Sequence, residues 1–467
     1  MGGRDQDRVG GAMRGSSPPY QDLREAVSSF FPELVEDLAR LVSIRSISAS
    51  GSHAGEVRRT GEECARLLQA SGYRDVRLLE IEGAHPAVYG HLPGPGGAPT
   101  VLLYAHYDVQ PVGDLEVWET EPFDAVVKEG RMYGRGTADD KCGVIAHLGA
   151  ARAFGGSPPV GMKVFLEGEE EIGSPNLEAF LERYEDLLSC DAVVIADAAN
   201  WAVGVPAITT SLRGLLGCIV EVRTARLGGH SGVFGGLFPD AITTLVRLLS
   251  TLHDEKGDVA VEGLVGSEET DLEMPVDDLA ENLGAVAGLE TIGTGSAASR
   301  LWTKPAISVL AVDAPAMSEA INLLVPVARA KVSVRTAPGQ NPESARQALS
   351  DHLRENLPWG AQLSVDFVEE AKGFQQVPSH PAIEAWRSGL EAAWGVPAVE
   401  KGEGGTIPFL ASFARVFPDA PLLLAGIGDP GSAIHAPNES LDLGELEKAI
   451  VAEAAALRIL GAGAGRP

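Results

Sequence analysis

Apolar side chains recur with a helical period at the start of the chain. From Tyr20 onward they fall every three or four positions, at Leu23, Val27, Phe30, Leu34, Leu38 and Leu41. This spacing places them on one face of an amphipathic α-helix of about 20 residues. A second helix is predicted near 55–71. The fold therefore opens with two helices, each with one face against a core.

Short continuous apolar runs follow the two helices. They have the length of buried strands and occur at 100–105, 162–166, 192–196 and 421–425. Helical segments such as 142–154 lie between several of them. Continuous apolar strands that alternate with helices are typical of a largely parallel sheet covered on both faces. The predicted fold class is therefore α/β, with a doubly wound, largely parallel sheet.

The middle of the chain has a different pattern. Alternating strands are predicted at 215–224, 330–335 and 362–367, with only two helices, at 240–252 and 342–357. This arrangement favours a small α+β domain inserted into the larger one. Between its first helix and second strand lies an acidic, glycine-rich stretch, 255–305, which we interpret as a surface excursion of the inserted domain.

These patterns give a domain division. We predict a disordered tail at 1–19, a catalytic domain formed by 20–212 and 375–467, and an inserted α+β domain at 213–374. Residues 461–467 are also predicted to be unstructured because they are rich in glycine.

Composition narrows the function classes. The 467 residues include 37 basic and 65 acidic side chains, a formal charge of -28 that would repel nucleic acids and anionic membranes. No apolar stretch approaches the roughly 18 residues of a membrane span. The four cysteines are scattered without metal-type spacing. Such sparse use is typical of a reducing compartment, so we predict a cytoplasmic protein.

Carboxylates and histidines stand just past the predicted strands or in loops near them. They are His106, Asp108, Asp139, Asp140, Glu170, Glu171, Asp197 and His435. A single aspartate after a strand is commonly a cap or turn residue. Several together are more informative, because open α/β sheets gather functional groups at the carboxyl ends of their strands. Oxygen and imidazole donors without cysteine indicate one or two zinc, manganese or cobalt ions.

Two local spacings add to this interpretation. His106 and Asp108 are two positions apart, so on an extended strand their side chains point the same way and the carboxylate can orient the imidazole. Glu170 and Glu171 are adjacent, so both reach one site only if the backbone leaves the strand. One could then bind metal while the other acts as a general base. A charge run on a solvated loop is the alternative.

Five segments together resemble the M20 family of metallopeptidases, and within it the branch of carnosinase and cytosolic non-specific dipeptidase. They are His106–Val112, Trp118 with Glu121–Phe123, Gly134–Lys141, Glu167–Ser174 and Gly229–Gly236. The resemblance runs in order from about residue 20 to residue 460. It implies a metal-dependent hydrolase with an inserted lid and dimerisation domain.

The resemblance also implies a set of metal ligands. In this family two zinc ions share one aspartate, which corresponds to Asp139 here. His106 and Asp197 would complete the first ion's ligands, and Glu171 and His435 those of the second. Zinc is the expected metal, with manganese or cobalt as alternatives.

Catalytic roles are implied as well. Asp108 corresponds to the family's aspartate beside the ligating histidine, and Glu170 to its general base, which takes a proton from the attacking water. The resemblance further implies a cis peptide bond between Asp139 and Asp140. Two dications would lower the water's pKa and neutralise the oxyanion, so no covalent nucleophile is needed.

The inserted domain would supply further groups. His230 corresponds to a histidine that reaches the active site of the partner subunit, which implies a homodimer. Arg335 corresponds to an arginine that binds the substrate's carboxylate, as a bidentate guanidinium would. Gly405 and Thr406 belong to a segment that resembles a substrate-facing loop. Asn322 lies one position earlier than the family's polar residue, because Leu323 stands in its place, so no role is assigned to it.

The resulting hypothesis is hydrolysis of dipeptides or short peptides that carry a free carboxylate. Two alternatives remain open at this point. The same metal chemistry could deacylate N-acyl amino acids, as in other branches of the family. The metal site could instead be structural in a non-catalytic binding protein, although such a site would not need Glu170.

Overall fold

A computed structural model describes residues 20–463, apart from positions 268, 269, 271, 378 and 408. The predicted tail 1–19 and residues 464–467 lie outside the described residues. The helices are α1 Gln21–Val42, α2 Ala54–Ala70, α3 Lys141–Ala153, α4 Leu177–Arg183, α5 Glu185–Leu188, α6 Ser231–Phe234, α7 Ala241–Leu249, α8 Val276–Leu283, α9 Ala297–Trp302, α10 Pro342–Glu355, α11 Pro381–Trp394, α12 Leu410–Val416 and α13 Leu443–Gly463. Short 3-10 turns occur at Gly51–His53, Leu115–Val117, Glu170–Ile172, Ser250–Leu252, Met317–Glu319 and Pro358–Gly360.

The strands fall into one large sheet and three smaller ones. They are β1 Asp75–Leu79, β2 Ala87–Leu92, β3 Thr100–His106, β4 Val126–Lys128, β5 Arg131–Tyr133, β6 Gly161–Glu167, β7 Ala192–Ile195, β8 Ala207–Leu212, β9 Gly214–Arg223, β10 Gly229–His230, β11 Ala306–Asp313, β12 Leu323–Leu324, β13 Val327–Thr336, β14 Gln362–Ala371, β15 Phe374–Gln375, β16 Val399–Glu403, β17 Leu422–Leu424 and β18 Ser440–Asp442.

The large sheet has the order β1-β2-β6-β3-β7-β17-β8-β15, with β16 beside β8. Its four central strands, β6, β3, β7 and β17, are parallel to one another. Antiparallel pairs occur toward both edges, for example β1 with β2 and β15 with β8. The central strands therefore end at one common edge of the sheet.

Two separate cores cover the faces of this sheet. Along β3, Leu103 and Ala105 face a core shared with α1, α3 and α13, whereas Leu102 and Tyr104 face a core shared with α4 and α12. Successive side chains of a strand point to opposite faces, so an all-apolar strand requires a covered sheet on both sides. The predicted doubly wound α/β architecture is confirmed.

A second, antiparallel sheet has the order β11-β13-β9-β14. Strands β9 and β13 bury alternate residues, and α7 and α10 supply most of the other apolar side chains of this core, together with Leu252, Val261 and Ile307. One face of the sheet is thus packed and the other is not, as is usual for an α+β unit. The domain limits 212/213 and 374/375 stay a prediction.

Two predictions about segments need correction. The stretch 255–305 is not only a surface excursion: it contains α8 and α9, and Trp302 is buried where it packs closely against Gly402 of β16. Residues 461–463 are not unstructured, because α13 continues to Gly463. The buried, alanine-rich turns before residue 458 favour helix, and the helix continues from them through the two glycines. None of the helices in the described part of the chain is long and apolar enough to span a bilayer.

Candidate active site

The four central parallel strands bring the predicted ligands to one edge of the large sheet. His106 is the last residue of β3, Glu170 and Glu171 follow the end of β6, Asp197 follows β7, and His435 follows β17. After β6 the backbone turns into the 3-10 segment Glu170–Ile172, as the two adjacent glutamates require. Residues distant in sequence thus meet at the carboxyl ends of the strands, where α/β folds place their functional groups.

Asp139 lies between two histidines. Its Oδ1 is 2.9 Å from His106 Nε2, and its Oδ2 is 2.8 Å from His435 Nε2. The same His435 nitrogen is 3.2 Å from Glu171 Oε2. The peptide bond between Asp139 and Asp140 is cis, as expected. These contacts give Asp139 one oxygen toward each histidine, the arrangement that a bridging carboxylate needs.

Two overlapping groups have ligand atoms close enough to share a cation. His106, Glu170 and Asp197 form one, and His106, Asp139 and Glu171 form the other, with all ligand atoms of a group within 4.8 Å of one another. His106 belongs to both groups. Glu170, which was predicted as a base and not as a ligand, therefore lies close to the predicted ligands, with its Oε2 3.9 Å from His106 Nε2.

Asp108 and Gln110 hold the glutamate turn in place. The carboxylate of Asp108, which is fully buried, accepts hydrogen bonds from the backbone N–H groups of Glu170 at 3.2 Å and Glu171 at 3.1 Å. Asp108 Oδ1 also lies 3.4 Å from His106 Nδ1. Gln110 Nε2 donates to Glu171 Oε2 at 2.8 Å. Gln110 was not predicted from the sequence, although its position two residues after Asp108 was a usable signal.

Glu439 was also missed, and it fixes the loop that carries Asp139. Its buried carboxylate accepts hydrogen bonds from the backbone N–H groups of Ala138 at 2.9 Å and Asp139 at 3.1 Å. Its other oxygen accepts from Gly136 N at 2.9 Å and from Arg135 Nη1 at 2.7 Å. Nothing in the local pattern of the sequence distinguishes Glu439 from a surface glutamate.

Both histidines sit in a strongly negative environment. Burial tends to lower the pKa of His106, but hydrogen bonds to Asp108 and Asp139 outweigh it and raise that pKa well above its usual value. Hydrogen bonds to Asp139 and Glu171 raise the pKa of His435 to about 10. The site therefore attracts positive charge, whether protons or metal ions.

Three carboxylates of the site have raised pKa values, because they are buried and crowded with negative charge. Burial, partly offset by His106, and repulsion by Asp139 raise the pKa of Asp197 well above its usual range. The same causes raise the pKa of Glu170 to about 7 and that of Asp140 to about 7. Divalent cations stabilise such crowded carboxylates as anions. A donor set of carboxylate oxygens and imidazole nitrogens thus fits two cations of the zinc, manganese or cobalt kind.

The predicted substrate-binding residues meet across the two sheets. Arg335, near the end of β13, donates from Nη1 to Thr406 Oγ1 at 2.7 Å, and Thr406 Oγ1 donates to the backbone oxygen of Arg213 at 2.7 Å. Gly405, next to Thr406, is exposed, with open space where a side chain would project. These contacts hold a guanidinium beside a small, open loop.

His230 lies apart from the other candidates. It is exposed on β10, which pairs with β12 in a two-stranded sheet, and its Nδ1 accepts a hydrogen bond from Gly232 N at 3.1 Å. Within the described residues, no hydrogen bond or ion pair links His230 to the carboxylate cluster. Asn322 is also exposed, and its backbone oxygen accepts from Ser231 N at 3.0 Å.

Comparisons with known proteins relate this chain to one family of peptidases. The family model "Peptidase family M20/M25/M40" matches residues 102–458. A cysteinylglycine-S-conjugate dipeptidase from Corynebacterium striatum is 32% identical, over 92% of this chain and 95% of that protein. A Beta-Ala-His dipeptidase from Rattus norvegicus is 27% identical over 76% of each chain. The structure of an M20 family metallo-carboxypeptidase from Sulfolobus solfataricus superimposes with a TM-score of 0.76 and 26% identity, covering 92% of this chain and 99% of the other.

Proposed function

Because this chain belongs to peptidase family M20/M25/M40 and is a metallo-dipeptidase, we propose that it cleaves dipeptides with a free carboxylate and that it uses two zinc ions. The observation that carries the proposal is the convergence of His106, Asp139, Glu171, Asp197 and His435 at one edge of the sheet. Manganese and cobalt suit the same donors.

The division of roles follows the contacts. Asp139, with one oxygen toward His106 and one toward His435, would bridge the two ions. Asp197 would complete one ligand set and Glu171 the other. When bound, two divalent ions supply a lowered pKa for a water molecule and neutralise the charge that develops on the carbonyl oxygen.

The remaining residues position groups and move protons. Glu170, beside this cluster, takes a proton from the attacking water and returns it to the leaving amine. Asp108 orients His106 and holds the backbone of Glu170 by a hydrogen bond of 3.2 Å. Arg335, supported by Thr406, binds the carboxylate of the dipeptide.

We also propose a homodimer in which His230 reaches the active site of the second subunit. Large apolar side chains beside His230 are exposed, namely Val233, Phe234, Leu237 and Phe238. Strand β11 is an edge strand whose exposed side chains include Val309, Leu310 and Val312. Exposed apolar patches and open strand edges are typical of surfaces that a second subunit covers. The sparse, scattered cysteines support a cytoplasmic enzyme.

An assay of purified protein with zinc tests this function. Cys-Gly and Ala-Gly should be hydrolysed, whereas N-acetyl amino acids should react far more slowly. The two sequence relatives described above are named dipeptidases, which supports dipeptide hydrolysis over the deacylase alternative. Faster hydrolysis of N-acetyl amino acids than of any dipeptide would contradict the proposal.

A further inference from the structure

A large cavity lies beside the candidate active site and uses none of the predicted metal ligands. Its volume is about 930 Å³. It is lined by three segments that follow or belong to strands of the large sheet, and by residues of the stretch 255–305. Small-molecule sites in proteins have volumes of about 300–1,000 Å³. The cavity is therefore large enough for a substantial part of a ligand.

Each of the three segments also carries a residue of the candidate site. On the first segment, Ala199 stands two positions after Asp197. On the second, Gly431 stands four positions before His435. Gly405, on the third segment, is adjacent to Thr406, which contacts Arg335. The cavity is thus continuous with the loops that would hold the metal ions and the substrate carboxylate.

The stretch 255–305 contributes large apolar side chains to the cavity. Met274 and Leu279 come from α8 and the segment before it, and Trp302 ends α9. Trp302 packs edge to face with Trp201 of the opposite loop, with ring centroids 6.1 Å apart. Aromatic and aliphatic walls of this kind bind bulky apolar groups.

The charges along the cavity are largely neutralised within the protein. Lys401 Nζ and Glu403 Oε1 pair at 2.8 Å, and Asp429 Oδ2 pairs with Arg131 Nη1 at 2.8 Å. Glu281 is exposed to solvent. A charged group placed in this cavity would lose hydration, and the lining charge not paired in this way, Glu281, is solvent-exposed, where an ion pair contributes little, so an uncharged group is favoured.

We propose that this cavity is the subsite for a bulky, uncharged side chain of the dipeptide, and that the stretch 274–302 makes the enzyme selective for such substrates. This rests on the proposed dipeptidase function and adds a substrate class to it. An alanine side chain would leave most of the cavity unfilled, whereas an aromatic ring or a long thioether would contact Trp201 and Met274.

The test compares kcat/KM for Ala-Gly with Phe-Gly, and for Gly-Ala with Gly-Phe, so that the position of the bulky residue is also identified. The variants are Trp201→Ala and Met274→Ala. Leu283→Ala is the matched control, because Leu283 is an exposed apolar residue of the same helix as Leu279 but does not line the cavity. Metal content and circular dichroism of each variant report on folding.

Wild type should prefer the phenylalanine substrate in one series, and each cavity variant should reduce that preference about tenfold with little effect on the alanine substrate. Leu283→Ala should behave as wild type. If wild type cleaves dipeptides but none of these variants changes the ratio, the subsite is wrong and the proposed function stands. If wild type cleaves no dipeptide in the presence of zinc, both are wrong.

Discussion

At the scale of single residues, Glu170 separates catalysis from metal binding. The variant Glu170→Gln keeps the size of the side chain but cannot accept a proton. We expect it to retain both metal ions and to lose about 10²–10⁴-fold in kcat, as for the removal of a general base. Elemental analysis together with steady-state kinetics on a dipeptide measures both quantities.

The neighbouring Glu169 provides a matched control for this variant. Its carboxylate is occupied by hydrogen bonds from His85 N at 2.7 Å and Asn176 Nδ2 at 2.8 Å. Glu169→Gln removes a charge from the same turn but leaves the proposed base in place, so it should turn over substrate at a rate close to wild type. If Glu170→Gln instead loses metal, Glu170 is a ligand, and if its activity stays within about tenfold of wild type, another group is the base.

Single residues were predictable where a motif carried them. His106, Asp108 and the glutamate pair stand at or just after the ends of strands that an apolar run reveals, so their position at the sheet edge is visible in the sequence, whereas their catalytic roles stay a prediction. Glu439 could not be found this way, because its role comes from hydrogen bonds to Ala138 and Asp139, some 300 residues earlier. Only the folded chain brings such partners together.

At the scale of elements, one buried histidine of α3 forms an ion pair with α13 and a hydrogen bond with β3. His147 of α3 contacts Glu453 of α13 at 2.9 Å, and its other ring nitrogen is 3.1 Å from the backbone oxygen of Tyr104. Burial tends to lower the pKa of His147, but the charge of Glu453 outweighs it and raises that pKa. The pair therefore stabilises the fold while His147 carries its proton.

This pair predicts how stability depends on pH. Since the folded-state pKa of His147 is above the unfolded value of about 6.5, its contribution is complete below that pH and is lost as the pH rises through the folded-state pKa. At pH 6, Glu453→Gln should lower the free energy of unfolding of this unit by about 3 kcal/mol. The difference from wild type should shrink at higher pH, as urea unfolding at pH 6 and pH 9 would measure.

Glu447→Gln, at a partly exposed position of the same helix, is the control and should change the urea midpoint little at either pH. A difference between wild type and Glu453→Gln that stays constant or grows with pH would contradict the account.

Elements were predicted best where the apolar pattern is continuous. The central strands β3, β6 and β7 and the helices α1 and α2 appear within a few residues of their predicted limits. The strands β1, β2 and β11 were missed, and of these β1 and β11 lie at the edges of their sheets. Edge strands bury less of their surface and mix polar with apolar residues, so their sequence pattern is weak.

At the scale of the whole molecule, the proposed role of His230 requires two subunits for each complete active site. His230→Ala and Glu170→Gln should each be nearly inactive as homodimers. A mixed dimer of the two would contain one site with both groups intact, so co-expression and purification of the mixed species should restore activity. Kinetics on the purified mixed dimer measure this.

A same-subunit residue provides the control for this experiment. Arg335 contacts Thr406 within one chain, so a mixed dimer of Arg335→Ala and Glu170→Gln should have no complete site and should remain inactive. Equal activity in the two kinds of mixed dimer would show that His230 does not act across subunits.

Contacts between segments that are distant in the sequence were the least predictable feature of the fold. The stretch 255–305 has weak periodicity in the sequence, yet it places Trp302 against Gly402 and borders the cavity beside the candidate site. Contacts of this kind depend on complementary shapes of separate segments, and local pattern does not record them.

We expect dipeptide hydrolysis to need two metal ions bound at the Asp139 cluster. A titration of chelator-treated protein with zinc, in which bound metal and the rate of Ala-Gly hydrolysis are recorded together, tests this. Activity should be lost on chelation and should return to its maximum at two ions per chain. Hydrolysis that survives complete metal removal, or zinc binding that restores no hydrolysis, would contradict it.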